Sequence, residues 1–572
     1  MFAGPIFSRE FFTSPRQLRH YLIRSGYVAA LLVLMYTIRQ VTIGFQDVTD
    51  IGATARFGSL VFQVTSLVQM SLVLFFALLF SAAGIAQEKD RQTLILLLMT
   101  DLKDRELVLG KLFANLLMVF VLIAASLPAF FLIHQLGGVT VGQIAWSLGL
   151  CAATALAAGS WGALVGFWRE KTFQTLAVGV LGVVSFIGVV EAVVGVLGGD
   201  SAAGRIVGLL DPYRALWRIL SPLSIPGVTR ADDVSAASSV GVMLGLAAVF
   251  SAITTLRLRV WNPSRSVHRA AFVREATRRR HRSIWRNPVI WREIRTSAYG
   301  RKVVAIKLAY LGLAGFAFYR LFTGDPFGDA VLGMIPPVGF AFVGLSLLAL
   351  MLVNAQAVTS LTSERDGKTL ELLLMTDVTA REFVFGKLGG ALYNWKEVIL
   401  APLLLAGYFA IAGGGSVENL VYLAIGYFVL VLFAAMLGLH SGLSYDQSRS
   451  AIANSLGTMF FLFVGIFIFM LLLIEARSSF FLQFQSFFVF IVVGSIGLWA
   501  SLSHKNPSMA LLISALALPY LTFHSITEFL LQGTLGVCLA ITAAYGFTTL
   551  AMMVPAVSEF DVALGRTTHD KG

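Results

Sequence analysis

Long apolar stretches constrain the fold of this chain more than any other feature of its sequence. Many apolar windows exceed about 18 residues, the length at which a stretch is long enough to span a membrane as a helix. Strand-built barrels would instead show alternating segments of about ten residues. Charged residues make up 13% of the 572 positions, roughly half their usual share in soluble domains. The sequence therefore predicts an all-α polytopic membrane protein.

The apolar runs form six candidate spans before the middle of the chain and eight after it, so we expect about 12–14 transmembrane helices. A basic segment lies between the two groups, because residues 257–302 hold 13 Arg and one Lys against two Glu, which equals the whole net charge of +12. We expect a first half of six spans, a basic linker, a second half of six spans, and two extra spans with a short tail, over residues 1–256, 257–286, 287–502 and 503–572.

The basic residues also predict the orientation of the spans. When successive spans alternate, the amino-terminal segment, the turn at 169–171, the linker and the segments 88–111 and 361–387 all fall on one side. Cytoplasmic loops carry an excess of Lys and Arg, so this side is expected to be the cytoplasm, with both termini on it. The linker is then expected to lie on anionic membrane lipid, and binding to nucleic acid is not expected.

A charged segment occurs twice between apolar spans. The first copy, residues 88–112, reads EKDRQTLILLLMTDLKDRELVLGKL, and the second, residues 364–388, reads ERDGKTLELLLMTDVTAREFVFGKL. The copies are identical at 16 of 25 positions, at a constant offset of 276 residues. A second repeated pattern, Pro-x-x-x-Arg-Glu followed by Thr-Ser, starts at Pro5 and again at Pro288. Six spans separate the charged copies, and an even number predicts two parallel repeats.

The repeated charged segment, which we call the motif, has the pattern of a short amphipathic helix. Its leucines, spaced by three and four residues, would share one helical face. The Thr-Asp pairs that begin at Thr100 and Thr376 are expected to cap the helix that follows. Two interpretations remain open from the residues alone. The helix docks on a soluble partner through leucines that contribute roughly 1.5–3 kcal/mol each, or it is a solvated loop whose leucines pack back onto the bundle.

The pattern Glu-x-Asp-x-x-Thr-Leu-x-Leu-Leu-Leu-x-Thr-Asp-x-x-x-Arg-Glu-x-x-x-Gly-Lys resembles the segment after the second span of ABC type-2 permeases. The resemblance implies six-span permease units that pair and are driven by cytoplasmic ATPase subunits through a coupling helix in the motif. It also implies amphipathic elbow helices around 5–24 and 288–301, and short outer helices in the loop 199–234. Export across a bacterial inner membrane is a further expectation from the same resemblance.

The residues that match the family's motif define a candidate ATPase-coupling site. In the first half they are Glu88, Thr93, Leu94, Leu97, Leu98, Arg105, Gly110 and Lys111. In the second half they are Glu364, Thr369, Leu370, Glu371, Leu373, Leu374, Arg381, Gly386 and Lys387. Ile95 departs from the pattern where Glu371 keeps it, so the first docking site is expected to be weaker than the second, or different from it.

The chain itself contains no pattern for nucleotide binding or catalysis. The Gly-Lys pairs at 110–111 and 386–387 are followed by Leu and lack the upstream Gly of a phosphate-binding loop. No cofactor or metal is expected in this chain, and a partner ATPase, expected in two copies, would bind ATP and Mg²⁺. The residues leave open which substrate is carried and whether the chain forms oligomers.

Two acidic residues inside apolar runs are candidates for a translocation path. Glu191 and Glu397 lie in predicted spans, where ionisable side chains are costly and commonly functional. A structural role in a helix–helix contact is the alternative for each of them. The sequence as a whole favours the permease subunit of an ATP-driven exporter, and the alternatives are an ATP-independent secondary transporter or channel, or a membrane scaffold.

Overall fold

The computed structural model describes most of the chain, and its elements are α-helices joined by short turns. The described residues are 4–13, 18–44, 50–197, 201–220, 236–262, 285, 287–295, 303–328, 335–374, 376–413, 416–476, 480–505, 507–531 and 533–563. The expected basic linker at 257–286 and the second part of the loop 199–234 therefore lie largely outside the described residues.

The first half begins with a short helix, continues through the spans, and includes two short helices after the fifth span. Its helices are α1 (Gly4–Thr13), α2 (Leu18–Thr42), α3 (Ile51–Asp90), α4 (Thr93–Leu98), α5 (Asp104–Ala125), α6 (Leu127–Leu136), α7 (Val141–Trp168), α8 (Thr172–Leu197), α9 (Ala202–Gly208), α10 (Pro212–Leu220) and α11 (Ala236–Trp261). The short helices α9 and α10 agree with the expectation for the loop 199–234, and α1 corresponds to the first part of the expected elbow helix.

The second half repeats this order up to its fifth span and then adds helices. Its helices are α12 (Pro288–Arg295), α13 (Val303–Thr323), α14 (Pro337–Asp366), α15 (Thr369–Leu374), α16 (Ala380–Asn394), α17 (Lys396–Ala412), α18 (Val417–Ser444), α19 (Ser448–Ala476), α20 (Phe480–Leu502), α21 (Met509–Leu530) and α22 (Thr534–Ala563). The short helices α4 and α15 lie at the same end of the bundle, which we call the motif end.

Thirteen helices among the described residues are long and apolar enough to cross a membrane. The count is 14 if α16 and α17, which meet at an angle of 54°, form one bent span. In the first half α5 and α6 together form the third span. The all-α polytopic fold with about 12–14 spans is therefore confirmed.

The two halves pack against each other with approximate twofold symmetry. The fifth span of each half, α8 or α19, contacts the first and second spans of the other half, which are α13 and α14 or α2 and α3. Aromatic rings pack closely across this boundary. Phe75 of α3 stacks on Phe460 of α19 with ring centroids 4.3 Å apart, and Phe173 of α8 meets Trp395 edge-on at 5.6 Å. The halves thus share one interior.

Glycines allow the second and fourth spans of each half to approach closely. A Cβ at Gly162 of α7 would lie 2.7 Å from the carbonyl oxygen of Leu78 in α3, and a Cβ at Gly438 of α18 would lie 2.7 Å from that of Asn354 in α14. Both residues of the first contact are 276 positions from those of the second. Small residues at helix crossings increase van der Waals contact between membrane helices, so the repeat preserves this crossing.

The sixth span of the second half is α22 by packing, whereas the sequence analysis assigned α20 to this place. In the first half α11 packs along α7 and touches α5; in the second half α22 packs along α18 and touches α16 in the same way. The pair α20–α21 is then an insertion between the fifth and sixth spans. The expected division at residue 502 groups spans differently from this packing, because sequence identity between the halves fades after the fifth span.

Candidate coupling site

The two copies of the motif follow the same backbone path. In each copy the long second span ends, one residue turns with positive φ, and a six-residue helix begins. The turning residues are Gln92, with φ of 61°, and Lys368, with φ of 55°, exactly one repeat apart in sequence register. The left-handed region is uncommon for residues other than Gly and is retained only where surrounding contacts hold it. The turn shape is therefore a property of both halves.

Threonine hydroxyls close both ends of each motif helix. The Oγ1 of Thr93 donates to the carbonyl of Glu88 at 3.2 Å, and that of Thr369 donates to the carbonyl of Glu364 at 3.1 Å. At the other end, Thr100 and Thr376 each donate to the carbonyl three residues earlier, at 2.6 Å in both copies. Local bonds of this kind satisfy carbonyls that helix ends leave open.

The prediction that the Thr-Asp pairs cap the following helices is wrong, because those helices begin two residues later. In the second half Thr379 is the cap: its hydroxyl accepts from the Glu382 backbone N–H at 3.2 Å, and the Glu382 carboxylate accepts from the Thr379 N–H at 3.0 Å. In the first half Lys103 takes this position and its N–H donates to Glu106 at 3.3 Å. The capping box lies one turn beyond the pairs that the sequence suggested.

A cation in each motif binds the carboxyl-terminal end of the fourth span of the same half. Lys89 Nζ donates to the carbonyl of Arg169 at 2.9 Å, and Arg365 Nη2 donates to the carbonyl of Gly442 at 2.6 Å. Each cation also donates to a second carbonyl of the same helix end. The last carbonyls of a helix lack partners within it and carry the negative end of its dipole. These contacts attach each motif to the fourth span of its half.

A lysine after the motif pairs with the glutamate that opens it. Lys111 pairs with Glu88 in the first half, and Lys387 pairs with Glu364 at 2.7 Å in the second. The predicted site residues Glu88, Lys111, Glu364 and Lys387 are therefore brought together in matching pairs. Each pair joins the end of the second span to the start of the third, so it fixes the two attachment points of the motif.

In the second half this pair belongs to a larger buried cluster that includes the elbow helix α12. Lys387 Nζ lies 2.7 Å from Glu293 Oε1 and donates to the Ser360 carbonyl at 3.2 Å. Arg292 contacts both Glu293 and Glu364. Burial alone would raise the pKa of the Glu293 carboxyl, but Lys387 and Arg292 hold that pKa below its ordinary value. The cluster ties α12, α14 and α16 together at the motif end.

The leucines of the first motif helix divide between the bundle and the surface. Leu94 and Leu98 are 2% and 5% exposed and pack into the interior of the first half, and Leu97 is half-buried against the same interior. Leu96 is 65% exposed and Met99 is 70% exposed. The predicted leucine face is thus the face that packs inward, because a periodic apolar face is the one a bundle buries.

The second motif helix shows the same division as far as it is described. Leu370 and Leu373 are half-buried against the interior of the second half, and Leu372 is 66% exposed. Arg105 and Arg381, at the start of each third span, are exposed. The side chains of Glu371 and Leu374 lie outside the described residues, so the expected difference between the docking sites at position 371 stays a prediction.

The two motifs contact each other across the boundary between the halves. Arg91 Nε, just after α3, donates to Asp366 Oδ1 at the end of α14, 3.2 Å away. Asp366 is nearly buried and Arg91 is half-exposed. An ion pair of this exposure contributes at most about 1 kcal/mol, yet its position makes it a direct link between the two repeats. The motifs therefore form one continuous surface at the motif end.

Glu191 and Glu397 each have a basic partner that the sequence did not indicate. Glu191 pairs with Arg214 of α10 at the end opposite the motifs, with Nη2 and Oε2 2.7 Å apart. Glu397 is exposed and pairs with Lys307 of α13 at 2.8 Å. Neither residue lines the two clefts described below. These contacts favour the structural alternative for both glutamates, and a role in a translocation path stays a prediction.

Sequence reasoning missed the contacts made by Lys89, Arg365 and Arg91. The signal for the first two was present, because a basic residue follows the opening glutamate in both copies. Nothing in the sequence identified the helix end that they bind, since that depends on how the second and fourth spans cross. Arg91 gave no signal, because the equivalent position is Gly367.

These features define a class, a polytopic helical membrane protein of two parallel halves with matched short helices at one end. Residues 10–256 match the family model described as ABC-2 family transporter protein. The chain belongs to the ABC type-2 permease family through this match. It is therefore the transmembrane component of an ABC transporter, in a family that works with an ATPase subunit. A search of curated proteins finds no match to the chain.

Proposed function

We propose that the chain is the transmembrane subunit of an ATP-driven exporter and that α4 and α15 are its coupling helices. The observation that carries the proposal is the duplicated motif, held in one conformation by the same contacts in both halves. A segment anchored at both ends by ion pairs transmits displacement to the spans better than a free loop would. The proposal places the motif end in the cytoplasm, where a separate ATPase, in two copies, binds ATP and Mg²⁺.

The proposed contact residues differ from the leucines expected from the sequence. Leu94 and Leu98 already fill the interior of the first half, so they support the helix from below. Leu96 and Leu372 are exposed at equivalent positions, and an exposed apolar side chain that a partner buries contributes roughly 1.5–3 kcal/mol. Met99 extends the apolar surface in the first half, and Arg91 bridges the two copies.

The test is co-purification of the tagged full-length chain, in mild detergent, from cells that contain its ATPase. ATP hydrolysis is measured in the eluate, and the bound subunit is identified by mass spectrometry through a phosphate-binding loop. Leu96→Asp combined with Leu372→Asp should remove most of the bound ATPase while the chain still inserts. Ile206→Asp is the matched control, because Ile206 is 68% exposed on a short helix at the opposite end.

Two results would contradict the coupling assignment. One is an unchanged amount of ATPase on the Leu96 and Leu372 double variant. The other is an equal loss on the Ile206 control, which would show that a new charge at either end disturbs the chain. If the unaltered chain brings down no ATPase from those cells, the secondary-transporter alternative becomes the better one.

A further inference from the structure

Two clefts lie along α8, on the side where this helix meets the second half. One, of about 660 Å³, lies between α7, α8 and α11 and is lined almost wholly by apolar side chains such as Phe186 and Phe250. The other, of about 750 Å³, lies between the motif-end parts of α7, α8 and α13. Both are lined by Trp161 and Gly182, so they adjoin each other.

The combined cleft changes from polar to apolar along its length. Arg169 lines its motif end, with the guanidinium 3.5 Å above the Trp168 ring. The Nε atom of Arg169 is buried and has no hydrogen-bond partner among the described residues. From Arg169 to Thr154, near the other end, α7 rises roughly 22 Å at 1.5 Å per residue. That length exceeds half of a hydrocarbon core of about 30 Å, so one acyl chain fits along it.

The equivalent position in the other half shows what such a cleft would hold. Val178 and Gly182 of α8 correspond, 276 residues later, to Asn454 and Thr458 of α19. Asn454 accepts a hydrogen bond from the Ser501 hydroxyl of α20 at 3.0 Å, and the Thr458 hydroxyl lies 2.6 Å from the same group. The inserted helix α20 therefore occupies, beside α19, the place that remains a cleft beside α8.

The motif end of the α19 interface is also occupied by chain. Tyr445, the equivalent of Arg169, stacks on His504 just after α20, with ring centroids 4.2 Å apart. His440 binds the carbonyl of Leu502 at 2.8 Å. Between α8 and α11 the described residues contain only the short helices α9 and α10. Exposed residues of α13, Ala305 and Ala309, line the cleft instead, so it faces the bilayer.

We propose that the α8–α13 interface binds one anionic phospholipid from the bilayer, with its phosphate on Arg169 and an acyl chain along the cleft. The charge fits, because a guanidinium forms strong paired hydrogen bonds with phosphate oxygens. The lining fits, because Val178 and Gly182 are apolar where the other half has hydrogen-bonding groups. The site is single, because α20 fills its counterpart. The argument does not use the ATPase, so its test and the test of the function can fail separately.

The test uses the full-length chain in phosphatidylcholine nanodiscs. A phosphatidylglycerol with a diazirine in its acyl chain is added at low mole fraction, and the cross-linked peptides are mapped by mass spectrometry. Labelling should concentrate on α8 and α13, with little on α19 and α2. The matched phosphatidylcholine probe should label α8 about five-fold less, the factor that one cation near an anionic lipid supplies.

Two variants separate the head-group contact from the acyl-chain contact. Arg169→Gln should bring the two probes to equal labelling, while Arg257→Gln, at another exposed Arg of the motif end, leaves the preference unchanged. Ala309→Phe should reduce labelling by both probes, while Val304→Phe, on the same helix but away from the cleft, has no effect. Equal labelling at both interfaces, or an anionic preference that survives Arg169→Gln, overturns the proposal.

Discussion

Lys387 provides the sharpest test of how the motif is held, because it is a fully buried cation with two carboxylate partners. Its side chain is 2% exposed, that of Glu293 is 3% exposed and that of Glu364 is 16% exposed. Lys387→Met keeps most of the volume and removes the charge, so two carboxylates remain with Arg292 alone. Removing one partner of a buried ion pair costs about 3–5 kcal/mol, and we expect a loss of stability of that size.

The first half supplies a matched control at the equivalent position. Lys111 and Glu88 form the same pair, but their side chains are 15% and 24% exposed. Water can therefore solvate Glu88 when the lysine is lost, and we expect Lys111→Met to cost about 1–2 kcal/mol, between the values for surface and buried pairs. A second variant, Lys387→Met with Glu293→Gln, should recover part of the loss, because it leaves one fewer buried carboxylate unpaired.

Thermal unfolding in detergent can be followed without adding a probe site. Cys151 and Cys538 are free and buried, so a dye that fluoresces on reaction with thiols reports their exposure as the chain unfolds. Lys387→Met should lower the midpoint by roughly twice as much as Lys111→Met or more. Equal shifts for the two variants would refute the argument, since they would mean that the depth of burial does not set the cost.

Two further predictions use the same unfolding assay. Gly438→Val should destabilise the chain by about 1–3 kcal/mol, because a Cβ there would lie 2.7 Å from the Asn354 carbonyl. Gly344→Val, on α14 where a Cβ would meet nothing within 4 Å, should change little, and a similar loss for both would contradict the close crossing. Burial and the neighbouring Glu191 raise the pKa of Asp211 from 3.8 to about 7; a raised folded-state pKa means that stability is lost as pH rises between these values. Asp211→Asn should therefore stabilise the chain at pH 8 and have little effect near pH 4, and a benefit that does not grow with pH would count against the assignment.

The span count and the parallel repeat could be predicted from the sequence because each rests on a signal that is local. An apolar run of sufficient length predicts a span wherever it lies, and the motif match fixed the offset of 276 residues. The place of α22 could not be predicted. Its equivalence to α11 appears only in the packing of α22 on α18 and of α11 on α7, and the sequence order suggested α20.

The leucines show a second limit of the sequence. Spacing by three and four residues identifies a common face but does not say whether that face meets the bundle or the solvent. Leu94 and Leu98 share the inward face, and the exposed Leu96 lies off it. An apolar residue on the otherwise polar face of a short helix is therefore the better indicator of a docking contact. The repeat preserves this residue too, as Leu372.

The pattern of identity between the halves follows from which contacts both halves make. Lys89 and Arg365 both bind carbonyl oxygens, a task that either cation performs, and both motifs keep their charge. Positions that differ in chemistry cluster where the inserted α20 lies. Arg169 becomes Tyr445, which stacks beside His504, and Gly182 becomes Thr458, which binds Ser501. A single insertion thus accounts for these differences, because each residue of the second half contacts the inserted helix or the turn that follows it, where its counterpart in the first half lines an open cleft.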